Sequence, residues 1–201
     1  MFPDLTRDDV FRIETPRLWL RWPTAKDGPA ITTLAGERAV AEMTAHIPHP
    51  LTRDAVDTFL LKVRGANSDG SGLTLALAPR SAPARLIGLV AISADSEAPH
   101  LGYWLGRPYW GAGLMGEATQ ALVHAYFAYA GGQRLESAAL PDNPASRRVL
   151  EKAGFRWIGR GLRPCRARGH ARDMDRFGLS RACWSAAQVR HEPARELAAV
   201  S

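Results

Sequence analysis

One stretch constrains the fold of this chain more than any other: Leu101-Gly102-Tyr103-Trp104-Leu105-Gly106-Arg107-Pro108-Tyr109-Trp110-Gly111-Ala112-Gly113-Leu114-Met115-Gly116-Glu117-Ala118. His100 to Gly106 alternates, with Leu101, Tyr103 and Leu105 on one face, as a strand does. A glycine-rich loop follows and opens directly into a helix from about Leu114 to Ala130. Ala118, Leu122, Ala125 and Tyr129 form its inner face, and Gly131-Gly132 stops it. Glycines let a backbone turn tightly and approach a ligand without interference from a Cβ. The unpaired N–H groups of a helix's first turn, with its dipole, then favour an anion. This is a place for a pyrophosphate.

Gly111, Gly113 and Gly116 satisfy GxGxxG, and Glu136 lies twenty residues beyond Gly116, as a dinucleotide fingerprint requires. Three features oppose that reading. Arg107 to Trp110 intervene between the strand and the first glycine. Glu136 begins the next strand instead of ending it, and the repeated βαβ pattern of a doubly wound sheet is missing. A purely structural glycine turn is the other alternative, although three glycines exceed what a turn needs.

Around this stretch the chain reads as follows. Residues 1–13 form an irregular lead-in, and Arg17 to Trp22 alternates as a strand ended by Pro23. A helix capped by Asp27 runs to about Ala41, Thr44 to Leu51 is a loop, and Thr52 or Asp54 starts an amphipathic helix carrying Val56, Phe59, Leu60 and Val63. Asn67 to Gly72 is turn chemistry. Leu73 to Ala78 and Leu86 to Ser93 make a hairpin, and Asp95 to Pro99 is the next turn. Leu135 to Leu140 is a strand. Asn143-Pro144 starts a helix that ends at Gly154. Phe155 to Gly159 and Arg172 to Leu179 are strands joined by a basic loop, before a polar tail that forms a marginal helix from about Ser185. The order predicts a single α+β domain over residues 1–201, with a mixed, mostly antiparallel sheet and helices on both faces.

Cys165 and Cys183 sit in no metal-ligand spacing, and a free reduced pair suits a cytoplasmic protein. No signal peptide and no stretch approaching the ~20 apolar residues of a membrane span is present. The expectation is a soluble protein. Eight arginines and two aspartates between Arg156 and Arg181 account for the whole net charge of +6. That segment either attracts anions, such as a phosphorylated cofactor, an acidic acceptor or RNA, or is an ordinary solvated surface.

Three segments carry a resemblance to a known family. Glu14-Thr15-Pro16-Arg17-Leu18-x-Leu20-Arg21 is similar to the opening strand of the GNAT superfamily of acetyl-CoA-dependent N-acetyltransferases, in the branch of the ribosomal-protein N-terminal serine and alanine acetyltransferases. Leu101 to Leu105, Tyr109-Trp110-Gly111-x-Gly113 and Glu117-Ala118 resemble its CoA-binding motif. Asn143-x-x-Ser146 with Val149-Leu150-Glu151-Lys152-x-Gly154-Phe155 resembles the next. The similarity runs from about Thr15 to Leu179. It implies a central sheet that splays like a V, with acetyl-CoA in the gap and an amine as acceptor. It implies that backbone amides of Trp110, Gly111, Ala112, Gly113, Leu114, Met115 and Gly116 hold the pyrophosphate. By the same resemblance the Leu105 amide polarises the thioester, and Asn143 and Ser146 face the thiol end. Departures are Pro108 and Gly116 in the loop, His100 where relatives carry glutamate, and Leu150 where many carry a general-acid tyrosine.

Transfer to an amine needs a proton acceptor for the amine and a proton donor for the thiolate. With Leu150 unable to donate, Ser146 is the candidate acid, or else an ordinary first-turn serine. His100, with an ordinary pKa near 6.5, is the candidate base, or else an exposed strand-end residue. His46 and His49 line the acceptor pocket or a loop surface. Trp104 and Trp110 read as core or cofactor-wall residues. No metal cluster is visible. The leading function is N-acetylation of a protein N-terminus or small amine by a monomer or homodimer. The alternative is a non-catalytic acyl-CoA-sensing or RNA-associated module.

Overall fold

In a computed structural model that describes Phe2 and residues 11–94 and 98–189, eight strands form one sheet. They are β1 (Arg12–Glu14), β2 (Leu18–Arg21), β3 (Gly72–Pro79), β4 (Gly88–Ser93), β5 (His100–Leu105), β6 (Arg134–Ala139), β7 (Arg156–Cys165) and β8 (His170–Ser180), in spatial order β1-β2-β3-β4-β5-β6-β8-β7. All neighbours are antiparallel except β5 and β6, which are parallel and joined by the helix α4 (Leu114–Tyr129). The remaining helices are α1 (Gly28–Gly36), α2 (Arg38–Ala41), α3 (Arg53–Asp69), α5 (Pro144–Lys152) and α6 (Arg181–Val189). The expected α+β class, mixed sheet and hairpin are all present.

Helices cover both faces because the strands alternate. In β3, Leu75 and Leu77 join the cluster that holds Met115, Ala118, Leu122 and Phe127 of α4, together with Leu150 of α5. Ala76 between them faces the opposite cluster, with Ile31 of α1 and Val56 and Leu60 of α3.

The only register pair between β5 and β6 is His100 with Glu136. One residue further on, the buried Ser137 hydroxyl donates to the Leu101 carbonyl at 2.8 Å, so a side chain replaces a main-chain donor where the strands part. Hydrogen bonds fix which way the β5 backbone points: the Gly106 N–H donates towards β4 at Ile87, whereas the Leu101 carbonyl faces β6. By alternation, the main-chain groups of Tyr103 and Leu105 also face the gap. This is the V.

Several sequence expectations need correction. Arg12–Glu14 of the lead-in is a strand on β2; Met1 and residues 3–10 lie outside the described residues, as do 95–97 of the expected Asp95 to Pro99 turn and the tail beyond 189. The helix through Ala41 breaks at Glu37, whose ψ of 126° is extended. Asp27 does not cap α1 with its side chain; its buried carboxylate receives two bonds from Arg21 and one from the Thr24 N–H. Asn67 to Asp69 are still helical, and the Asn67 side chain bonds both main-chain groups of Thr74, which outweighs its turn preference. Tyr129 is exposed; the apolar stripe passes through Tyr126 and Phe127 instead. The basic loop is mostly strand, since β7 and β8 extend through it and leave a short turn at residues 166–169.

Candidate active site

The loop between β5 and α4 is built as an anion cradle. Gly111 and Gly113 adopt φ of +79° and +73°, a left-handed conformation that side chains resist. Gly113 is the N-cap of α4 and has no side chain to close the helix end. The first bond there is from the Glu117 N–H to the Gly113 carbonyl, so the N–H groups of Leu114, Met115 and Gly116 precede the helical ladder and are free donors. A Cβ added at Gly111 or Gly116 would meet nothing within 4 Å, so the cradle is open to a ligand. A diphosphate fits this donor set.

A buried-edge latch holds the cradle. Glu117, in the first turn of α4, accepts from the Thr15 hydroxyl (2.6 Å), the Arg17 N–H (2.9 Å) and Arg17 Nε (2.6 Å). Arg17 Nη1 reaches on to the Ala112 carbonyl at 2.7 Å. Burial raises the Glu117 pKa, but the bonds from Thr15 and Arg17 outweigh it and keep the carboxyl below its ordinary value. The opening motif and the glycine loop are therefore one structural unit. Neither Arg17 nor Glu117 was singled out for a role by the sequence pattern. Both stand in the quoted motifs, but the contact spans a hundred residues and leaves no local signal.

At the V, the Tyr103 hydroxyl lies 2.9 Å from Ser146 Oγ and donates to the Ser146 carbonyl at 3.1 Å. The Asn143 side chain accepts from the Ser146 N–H at 3.0 Å, so it caps α5 and positions Ser146. That bond takes up the Asn143 carbonyl oxygen, and Asn143 does not line the cavity described below. Burial pushes the Tyr103 phenol up to about 12, against the opposing bond from Ser146, so it keeps its proton at neutral pH. The sequence pattern placed Tyr103 on one strand face with Leu101 and Leu105 and missed this pairing. Leu150 is fully buried core. Trp110 Nε1 donates to the Leu105 carbonyl at 2.6 Å, which ties the loop to the end of β5 while its ring stays half exposed.

A cavity of about 550 Å³ passes through the splay. Tyr103, Ser137 and Ser146 line one end, while Ile31, Leu51, Val56 and Phe59 of the α1–α3 side line the other. His100 and Trp104 also line it, on the strand face opposite Tyr103. His100 is not an exposed strand-end residue, because its Nε2 is buried without a hydrogen-bond partner. Nor does its pKa stay near 6.5: burial first, then the charges of Arg163 and His46, lower it to about 4 against the pull of Glu136. His46 lines the cavity, whereas the His49 ring hydrogen-bonds the Gly36 carbonyl and does not. Among the described residues no cluster of three metal-binding side chains occurs, and no helix is long and apolar enough to cross a membrane.

A glycine-cradled helix mouth beside a splayed parallel pair is a geometry that an acyl-CoA would fit. Comparison with known proteins agrees. Residues 17–156 match the acetyltransferase (GNAT) domain family, and the chain belongs to that family, whose co-substrate is acetyl-CoA. A probable N-acetyltransferase, YjcK of Bacillus subtilis, is 39% identical over 75 residues, which is 35% of this chain and 41% of that protein. The chain thus matches less than half the length of that curated relative. Ribosomal-protein-S5-alanine acetyltransferase from Vibrio fischeri superposes with a TM-score of 0.74 at 20% identity, covering 87% of this chain and 98% of the other. The microcin C7 self-immunity acetyltransferase MccE, in complex with acetyl-CoA and AMP, superposes at 0.70 and 18% identity over 83% and 93%.

Proposed function

We propose that this chain transfers the acetyl group of acetyl-CoA directly to a primary amine seated in the cavity. One observation carries the reading: the cavity crosses the sheet at the V, with the Tyr103–Ser146 pair on one side and the acceptor space on the other. Acetyl-CoA supplies an activated thioester. The chain's residues do the rest. Amides from Gly111 to Gly116 hold the diphosphate, while the expected Trp110 N–H is already donated to the Arg107 carbonyl. The open edge of β5 at Tyr103 and Leu105 aligns the pantetheine arm and offers an N–H to the carbonyl. Ser146 Oγ holds a proton where a thiolate leaves, and Tyr103 Oη stands behind it to replace that proton. Neutral His100, on the opposite strand face, accepts the amine's proton directly or through water. Its depressed basicity makes it a weak base.

Release of free thiol from acetyl-CoA, followed across a panel of primary amines, tests this. Amine-dependent turnover is expected. Tight CoA binding with no turnover for any amine would instead favour the non-catalytic acyl-CoA-sensing module.

A further inference from the structure

The arginines from Arg156 to Arg181 are not equivalent. Arg160 pairs with Asp175, Arg168 and Arg172 with Asp142, and Arg176 with Glu136; Arg181 donates to the Phe127 and Gly132 carbonyls. Four of these arginines therefore face three carboxylates within the fold. Arg156 is exposed, its guanidinium has no ion-pair or hydrogen-bond partner among the described residues, and it does not line the cavity. Arg163 and Arg166 differ in their place. Neither guanidinium has an ion-pair or hydrogen-bond partner among the described residues, and both line the cavity. Arg163 shares the inward face of β7 with the fully buried Cys165, two residues on, and is itself half-buried.

The other charged or titratable side chains lining that space are His46, Lys62, His100 and the protonated Tyr103, and no carboxylate lines it among the described residues. His100 Nε2 is also buried and unpartnered there. A half-buried guanidinium without a counter-charge is unfavourable unless an anion joins it. Among the described residues, an approaching polycation would meet no carboxylate lining that space.

Resting on the transferase reading, we infer that the acceptor is a small amine bearing an acidic group, carboxylate or phosphate, which Arg163 and Arg166 hold beside His100 while the amine points to the V. A guanidinium binds either oxyanion through paired N–H donors. The volume of about 550 Å³ suits such a molecule.

Matched amines that differ only in the acidic group test this with the full chain: glutamate against its diamide, and glucosamine 6-phosphate against glucosamine, with spermidine as the cationic control. The acidic member of at least one pair should have a kcat/KM about tenfold or more higher, and which pair responds identifies carboxylate or phosphate. Arg163→Gln should raise KM for that member about tenfold, leave its neutral partner and CoA affinity unchanged, and be rescued in part by Arg163→Lys. Arg166→Gln should act in the same direction. Equal ranking within both pairs, preference for spermidine, or equal loss for all amines in Arg163→Gln would overturn the inference. Thermal-shift titration with the same amines separates the two claims. Stabilisation by an acidic amine that Arg163→Gln removes supports the acidic subsite even where no thiol is released, in which case only the transferase reading falls; no stabilisation and no turnover with any acidic amine overturns the subsite.

Discussion

At Gly113 one hydrogen atom decides whether the helix mouth is open. The residue combines a φ of +73° with the N-cap position of α4, so Gly113→Asp both strains the backbone, by about 1 kcal/mol or more, and sets a carboxylate against the diphosphate. CoA affinity should fall at least about a hundredfold in equilibrium dialysis while circular dichroism stays native, the size of a lost charge-assisted anion site. The proposed proton donors are separable from binding. Ser146→Ala should lower kcat by about a hundredfold and Tyr103→Phe by about tenfold, with CoA dissociation constants unchanged. Wild-type turnover in Ser146→Ala would return that residue to an ordinary helix-start role. Ser146 was legible because an Asn-Pro helix start fixes where the third residue sits. Tyr103 was not, because strand alternation gives a face and not the partner across it.

Among the elements, the latch from the β1–β2 connection to α4 has the most to do with the proposed function. Arg17 alone joins the Glu117 carboxylate to the Ala112 carbonyl, so Arg17→Ala removes bonds at both ends while leaving the glycines intact. KM for acetyl-CoA should rise about tenfold with kcat little changed, and a double-mutant cycle with Glu117→Gln should show coupling of about 1–3 kcal/mol. Additive effects would mean that the pair is only a surface bridge. The sequence displayed most elements through their punctuation: Thr52 and Asn143 as caps, Gly154 as a stop, Pro23 as a breaker. It failed where a distant contact overrode a local preference. Asn67 stays helical because Thr74 satisfies its side chain, and β7 and β8 run through a basic segment in which Asp175, Asp142 and Glu136 pair with four of the arginines.

Over the whole molecule, His100 links the site to stability. Its folded pKa of about 4 lies below the ordinary 6.5, so between those values the unfolded chain binds a proton that the folded chain refuses. Stability present at neutral pH is therefore lost as pH falls from 6.5 to 4, by roughly 3 kcal/mol at this one group. Arg163 and His46 oppose the imidazolium and Glu136 favours it, so the window belongs to that cluster. In urea unfolding, wild type should lose more stability between pH 7 and 4.5 than His100→Gln, whose comparison cancels the acid loss from Asp27, Glu117 and Asp175. Parallel curves would show that His100 is not held neutral. The parallel β5–β6 pair and the helices on two faces could be inferred from element order. The cavity could not, because its walls come from segments far apart in the chain that only the folded sheet brings together.

Everything about the site begins with the row of free amides at the start of α4. Isothermal titration of the full chain with acetyl-CoA tests it most directly. The account predicts one saturable site whose affinity weakens as salt rises and whose heat disappears in Gly113→Asp. Titrations of folded wild-type protein that show no heat with acetyl-CoA or coenzyme A at several temperatures would contradict it.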